Sequence, residues 1–363
     1  GKETFRPGER GERGEQMASS HGRIIVSALC CSVMLRIMGL SLLSGLLLAA
    51  APCTEAAGKC TERLEMAPGR FTLLYRSLPL TGAKHSGIQR AMIIVHGASR
   101  NADHYFATGL AAAFLAHALD DTVIIAPRYA VNGVTAKDPL APGEISWQSE
   151  IGWAGGGEAA GLPQLSTYDV MDKVLKLLAD KRVFPDMKQI VVSGHSAGGQ
   201  FSSRYAALNQ VHETLGVPVK YVPSNASTML YLDAERPARD GGGFRRYGDR
   251  ENCTTYDDYK FGLQKRTGYA ARLSEEQIRK QLTSRPVTYL QGELDTLPIA
   301  GFDSSCPAMA QGPDRLTRAK SYFEHVKKHG AKHEFVVVPL CGHNNRCVWT
   351  ADNALPVLFP AIR

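Results

Sequence analysis

From residue 70 onward, short apolar runs alternate with amphipathic stretches of helical length. Phe71 to Leu78 (FTLLYRSL), Ala91 to Val95 (AMIIV), Thr122 to Ala126 (TVIIA) and Gln189 to Ser193 (QIVVS) have the length of strands. The three later runs are dense in branched aliphatic residues and stop close to a Gly or Pro, the pattern of strands buried on both faces. Further strands are expected at Val219 to Val222, Val287 to Leu290 (VTYL) and Glu334 to Val338 (EFVVV). Between them, His104 to Leu119, Thr167 to Asp180, Gly198 to Gln210 and Arg315 to Lys328 read as helices. Strands alternating with helices predict an α/β fold with a mostly parallel central sheet flanked by helices. Val131 to Gly161 and Asp233 to Leu282 break the alternation. Rich in Gly and polar residues, they are expected as insertions over the functional edge of the sheet, candidates for a lid.

The first 57 residues carry a different pattern. Gly1 to Gln16 is nearly devoid of apolar residues and reads as a solvated leader. Within 17–57, Ile37 to Ala51 (IMGLSLLSGLLLAAA) has the length of a signal-peptide core and falls short of the ~20 residues that a membrane span needs. Residues 17–57 are therefore expected to be a signal peptide, cleaved between Ala50 and Ala57. The remaining chain, 58–363, would be one domain without a stable membrane span, secreted or periplasmic.

Cysteine usage agrees with export. Of 8 cysteines, Cys30 and Cys31 would leave with the signal, and an even six remain only if cleavage precedes Cys53. Cys341 and Cys347 suit a small disulfide loop, and Cys253 with Cys306 a second pair. No CxxC pair is present, so no zinc site is expected. The net charge of +7 is spread over Lys and Arg that occur singly or in pairs and form no long run, which argues against a nucleic-acid partner. Asn225-Ala-Ser227 and Asn252-Cys-Thr254 match the N-glycosylation pattern.

The candidate chemistry lies in VVSGHSAGG, residues 191–199. Gly194-His195-Ser196-Ala197-Gly198 follows a buried strand and opens a helix, the setting that strains and exposes a nucleophilic serine. A serine needs a base and an orienting acid. The strand VTYL leads into Asp295, and EFVVV leads into His343, so both are expected at the same sheet edge as Ser196. Glu293 or Asp303 are alternative acids. Oxyanion donors are expected from the backbone N–H of Ala197 and, in the loop His96-Gly-Ala-Ser-Arg-Asn101, of Ala98, with Ser99 second. Arg100, Asn101 and Asp103 would brace that loop. Tyr105, Trp147 and Trp153 are candidates for an aromatic substrate pocket, or else packing residues. His195 reads as packing, and His325, His329 and His333 as a solvated helix face.

With His96-Gly97, the elbow around Ser196, Gly292-Glu-Leu-Asp295 and Gly342-His343 in place, the chain from Phe71 onward resembles the α/β-hydrolase superfamily, and within it the secreted serine esterases. The resemblance implies hydrolysis of a small-molecule or polymeric ester through an acyl-enzyme, with no cofactor. A peptidase or amidase on the same fold, or a non-catalytic binding protein, are the alternatives.

Overall fold

In a computed structural model, residues 52–362 are described except 134–136, 150 and 300. The expected leader and nearly all of the expected signal peptide lie outside the described residues. Eight strands form one sheet: β1 (Thr61–Ala67), β2 (Arg70–Arg76), β3 (Arg90–Val95), β4 (Thr122–Pro127), β5 (Gln189–His195), β6 (Val219–Ser224), β7 (Thr288–Gly292) and β8 (Glu334–Val338). Their spatial order is β1-β2-β4-β3-β5-β6-β7-β8. From β4 to β8 all pairings are parallel, and the antiparallel β1–β2 hairpin extends one edge.

The central strands are the apolar runs. β3 and β4 are buried along almost their whole length, so both faces must be covered, and the crossover helices cover them. α1 (Ala102–Leu115) lies on one face, α2 (Thr167–Ala179) and α3 (Ala197–Leu208) on the other, followed by α4 (Glu275–Ser284) and α5 (Arg315–Lys328). α2 starts from a capping box in which Ser166 and Asp169 each accept a backbone N–H. α3 is buried at every position, as expected of a helix that carries a site on the central strand.

The stretch 131–161 is anchored rather than loose. Phe71 N–H donates to the Gly143 carbonyl and Ile145 N–H to the Phe71 carbonyl, at 3.0 and 2.8 Å, so this segment is stitched to β2. In the second stretch, residues 235–237 and 244–246 form a two-stranded hairpin. Among the described residues three disulfides are present, Cys53–Cys60, Cys253–Cys306 and Cys341–Cys347. Among the described residues, no helix is long and apolar enough to cross a membrane.

Candidate active site

The turn between β5 and α3 is built from close backbone approach. A Cβ on Gly194 would lie 2.2 Å from the Gly198 carbonyl oxygen, and one on Gly198 would lie 2.0 Å from the Val95 carbonyl oxygen. Glycine at both positions lets strand and helix meet almost backbone to backbone. Ser196, caught between them, takes φ 60° and ψ −117°, a conformation that costs a non-glycine residue about 1–3 kcal/mol. Its N–H donates to the Ser224 carbonyl at 3.0 Å, which fixes the side chain at the top of the sheet.

The structure brings Ser196, His343 and Asp295 together. Ser196 Oγ donates to His343 Nε2 at 2.9 Å, and His343 Nδ1 donates to Asp295 Oδ2 at 2.8 Å. The alternative acids stand elsewhere: Glu293 accepts from the Leu340 N–H, and Asp303 from the Ser305 N–H. Chemically this is a hydroxyl whose proton can pass to an imidazole held in one tautomer by a carboxylate. Disulfide Cys341–Cys347 closes a short loop around His343.

Two further residues complete the arrangement. Asn225 donates from Nδ2 to Asp295 Oδ2 at 2.7 Å, while Arg315 lies 3.4 Å from the other oxygen, Oδ1. Burial would raise the Asp295 carboxyl, but the His343 hydrogen bond and charge, Asn225 and Arg315 outweigh it and hold the group below the usual carboxylate value. Asn225 itself is 1 % exposed, so this match to the glycosylation pattern is a buried structural amide. The other, Asn252, is exposed.

The loop after β3 closes the opposite side. A Cβ on Gly97 would fall 3.7 Å from Ser196 Cβ, so the backbone at Gly97 runs beside the serine. Arg100 braces this loop, donating to the Ala98 carbonyl and to Asp138, both at 2.6 Å. His96 anchors it from beneath: its Nε2 accepts the Tyr129 N–H at 3.0 Å. Burial pushes His96 down to about 4, so the ring stays neutral.

The expected aromatic pocket takes another form. Trp147 and Trp153 are 1 % and 0 % exposed, with their rings packed edge-on or stacked around Tyr129. Trp153 also packs on His96 at 4.5 Å and backs a cavity of about 380 Å³ with Gln148, Tyr259 and Lys260. Apolar area is worth more in the core than over an open cleft, so the tryptophans serve as anchors of the 131–161 segment. Tyr105 is also buried, its hydroxyl 3.4 Å from His195 Nδ1. His195 is buried against the His343 ring, with centroids 4.7 Å apart. Burial first, then the neighbouring His343, pushes its pKa well below the ordinary value.

The helix-face histidines also differ from expectation. His325 and His333 are buried: α5 packs the His325 side against the core through Tyr322 and Val326, and His333, beyond the helix, is held between the Tyr289 hydroxyl and the Leu282 carbonyl. Asp233, His325 and His329 have the spacing of metal ligands. However, His325 Nε2 accepts the Leu232 N–H at 3.1 Å, which puts the proton on Nδ1, an atom with no hydrogen-bond partner among the described residues. Neither ring nitrogen then has a lone pair free for a cation.

The parallel sheet and the strand–turn–helix elbow at its centre define a hydrolase of the α/β class. The chain belongs to the alpha/beta hydrolase family, whose model matches residues 92–355. Among solved structures it is similar to the poly(3-hydroxybutyrate) depolymerase LpqC from Bordetella parapertussis, with 21% identity and a TM-score of 0.55 over 81% of this chain and 86% of that one. It is also similar to poly(aspartic acid) hydrolase-1 from Sphingomonas sp. KT-1, with 18% identity and a TM-score of 0.54 over 82% of this chain and 97% of that one. At these identities the likeness is one of fold. No curated protein matches the chain.

Proposed function

We propose that this protein is a secreted serine hydrolase that cleaves carboxylic esters through Ser196, His343 and Asp295. The observation that carries the reading is the unbroken relay from Ser196 Oγ through His343 to Asp295 at 2.9 and 2.8 Å, set on a strained elbow. Ser196 Oγ attacks the ester carbonyl carbon as its proton passes to His343 Nε2. The developing oxyanion is met by the N–H groups of Ala197 and Ala98. Collapse of the tetrahedral intermediate expels the alcohol, which takes the proton from His343. Water, deprotonated by the same imidazole, then releases the acid.

The surroundings favour an apolar ester over a peptide. Leu294, Leu297, Ile299 and Leu340 are all half or more exposed, at 52 to 80 %, and all lie on the two loops that carry Asp295 and His343. Large exposed aliphatic side chains gathered beside a site mark apolar binding surface. Three disulfides suit an oxidising compartment and support export.

The test is fluorophosphonate labelling of the purified protein beside Ser196→Ala, followed by a panel of carboxylic esters and matched amides. Labelling of the peptide containing Ser196, lost in the variant, with ester turnover exceeding amide turnover, is expected. Faster turnover of amides would make the protein a peptidase or amidase. Absence of labelling on folded protein would turn the site into a binding scaffold.

A further inference from the structure

Arg315 opens α5 and is wholly buried. Burying a guanidinium is costly unless its donors are met, and here they reach two separate segments. Nε donates to Ser227 Oγ at 2.9 Å, behind β6, and one terminal nitrogen to the Ile299 carbonyl at 2.8 Å, in the loop behind β7. The other terminal nitrogen lies 3.4 Å from Asp295 Oδ1, an ion pair in which both side chains are at most 1 % exposed. Asp295 therefore uses its two oxygens differently. Oδ2 takes His343, Asn225 and, at 3.4 Å, Gln291, whereas Oδ1 is turned to the arginine.

Arg318, one helical turn on, supplies an internal comparison. It is equally buried and donates to the Ser227 and Gly312 carbonyls at 2.7 and 2.8 Å. It also stacks on Phe302, 4.3 Å from the ring centre. Among the described residues it makes no ion pair. A merely structural need for buried arginine at the head of α5 would treat the two alike.

We propose that Arg315 is a positioning residue: its ion pair with Oδ1 fixes which carboxylate oxygen faces His343 and keeps the Asp295–His343 pair in its anionic, proton-accepting state. The proposal rests on the reading of Ser196, His343 and Asp295 given above. The groups facing Asp295 are His343 from the loop after β8, Arg315 from α5, and the neutral amides of Asn225 and Gln291. His195 lies beyond His343, and Glu293 is engaged by the Leu340 N–H. Arg315 is the permanent cation of this set. The pair carries one negative charge when ready to act and none after taking up a proton. Removing the cation makes that uptake easier whichever member receives the proton.

The experiment compares Arg315→Met, Arg315→Gln, Arg315→Lys and Arg318→Met with the parent protein. Its readouts are kcat and KM against pH, and the far-downfield proton resonance of His343 Nδ1–H. For Arg315→Met and Arg315→Gln, kcat is expected to fall about 10- to 100-fold with KM changing far less, as expected for lost orientation. The acid limb of kcat/KM should move up by about one pH unit, and the downfield resonance should shift or broaden. Arg315→Lys should restore the limb and part of kcat, while Arg318→Met alters thermal stability without moving limb or resonance. If Arg315→Met does not fold, the Gln and Lys pair alone decides whether charge matters. Equal behaviour of the Arg315 and Arg318 variants, or an acid limb that stays put or moves down in Arg315→Gln, would overturn the proposal. Absence of fluorophosphonate labelling in the parent would instead remove the serine hydrolase reading, while the resonance would still report whether Arg315 orders the pair.

Discussion

Gly198→Ala is the substitution whose cost can be worked most directly. The added Cβ would sit 2.0 Å from the Val95 carbonyl oxygen and 2.6 Å from that of His96. Carbon and carbonyl oxygen normally approach no closer than about 3.3 Å, so α3 and β3 must part by about 1 Å. Neither atom belongs to a side chain that can rotate away. β3 is held between β4 and β5 by parallel pairing, and packed interiors offer little slack. Overpacking by a single methylene usually costs about 1–3 kcal/mol; with backbone on both sides, about 3 kcal/mol or more is expected, a large share of a typical 5–15 kcal/mol total. Gly248→Ala is the control, since its Cβ meets nothing within 4 Å and should stay within about 0.5 kcal/mol of the parent. Urea unfolding gives the stabilities, and fluorophosphonate labelling of the folded fraction reports the geometry of Ser196. A Gly198→Ala protein within about 1 kcal/mol of the parent and labelled at the parental rate would refute the idea that close backbone approach sets the serine.

Other outcomes follow from neighbouring residues. Asn225→Ala removes a donor to Asp295 and should lower kcat about tenfold, read by steady-state kinetics. On expression in a glycosylating host, any added mass should vanish with Asn252→Gln and be untouched by Asn225→Gln, because Asn225 is buried and bonded. His96 is held at about 4 in the fold against an ordinary 6.5, so between these values the unfolded chain binds the extra proton. Stability should therefore fall as pH drops from 6.5 toward 4, by about 3 kcal/mol from this group, and unfolding curves of His96→Gln should show a shallower pH slope. Replacing Cys341 and Cys347 together by Ser opens the loop around His343 and should cost about 2 kcal/mol by loop-closure entropy, with kcat falling more than stability alone explains; unchanged kcat would show that other bonds hold the histidine.

What could be read from the sequence was whatever writes itself as a local apolar run or sits at the end of one. AMIIV, TVIIA and QIVVS are central strands because burial on both faces admits little else. Ser196, Asp295 and His343 follow their strands directly, so their meeting at one sheet edge was foreseeable. β1 escaped because TERLEMA is an edge strand with a single fully buried residue, Leu64, and so carries no run. α4 was absorbed into an expected insertion, since only Ile278 and Leu282 are buried. Its capping box, Ser274 with Gln277, was nonetheless visible as a Ser three residues before a Gln. Arg315 left no local trace. A charged residue on an amphipathic helix reads as solvent-facing, and the carboxylate that draws it inward lies on a different loop.

The same limitation explains how the polar insertions hold their shape. Their apolar residues, such as Trp147 and Trp153 in the first and Leu263 and Tyr269 in the second, join the main core, and buried guanidinium groups fasten the polar backbone between them. Arg204 on α3 donates to the Ala154 carbonyl of the first insertion, to the Lys260 carbonyl of the second and to Thr228 Oγ1, at 3.3, 3.2 and 2.8 Å. Arg236 similarly gathers the Tyr256 and Phe261 carbonyls and the Asp257 carboxylate within the second insertion. A planar cation with five donors in fixed directions can satisfy several carbonyls at once, which an ammonium on a flexible stem does less well. Both insertions are thus fastened to the helix that begins at Ser196. Movement of Ala154 and Lys260 away from α3 would take the carbonyl acceptors from the buried Arg204 guanidinium, leaving it only Gln200 Oε1 and Thr228 Oγ1.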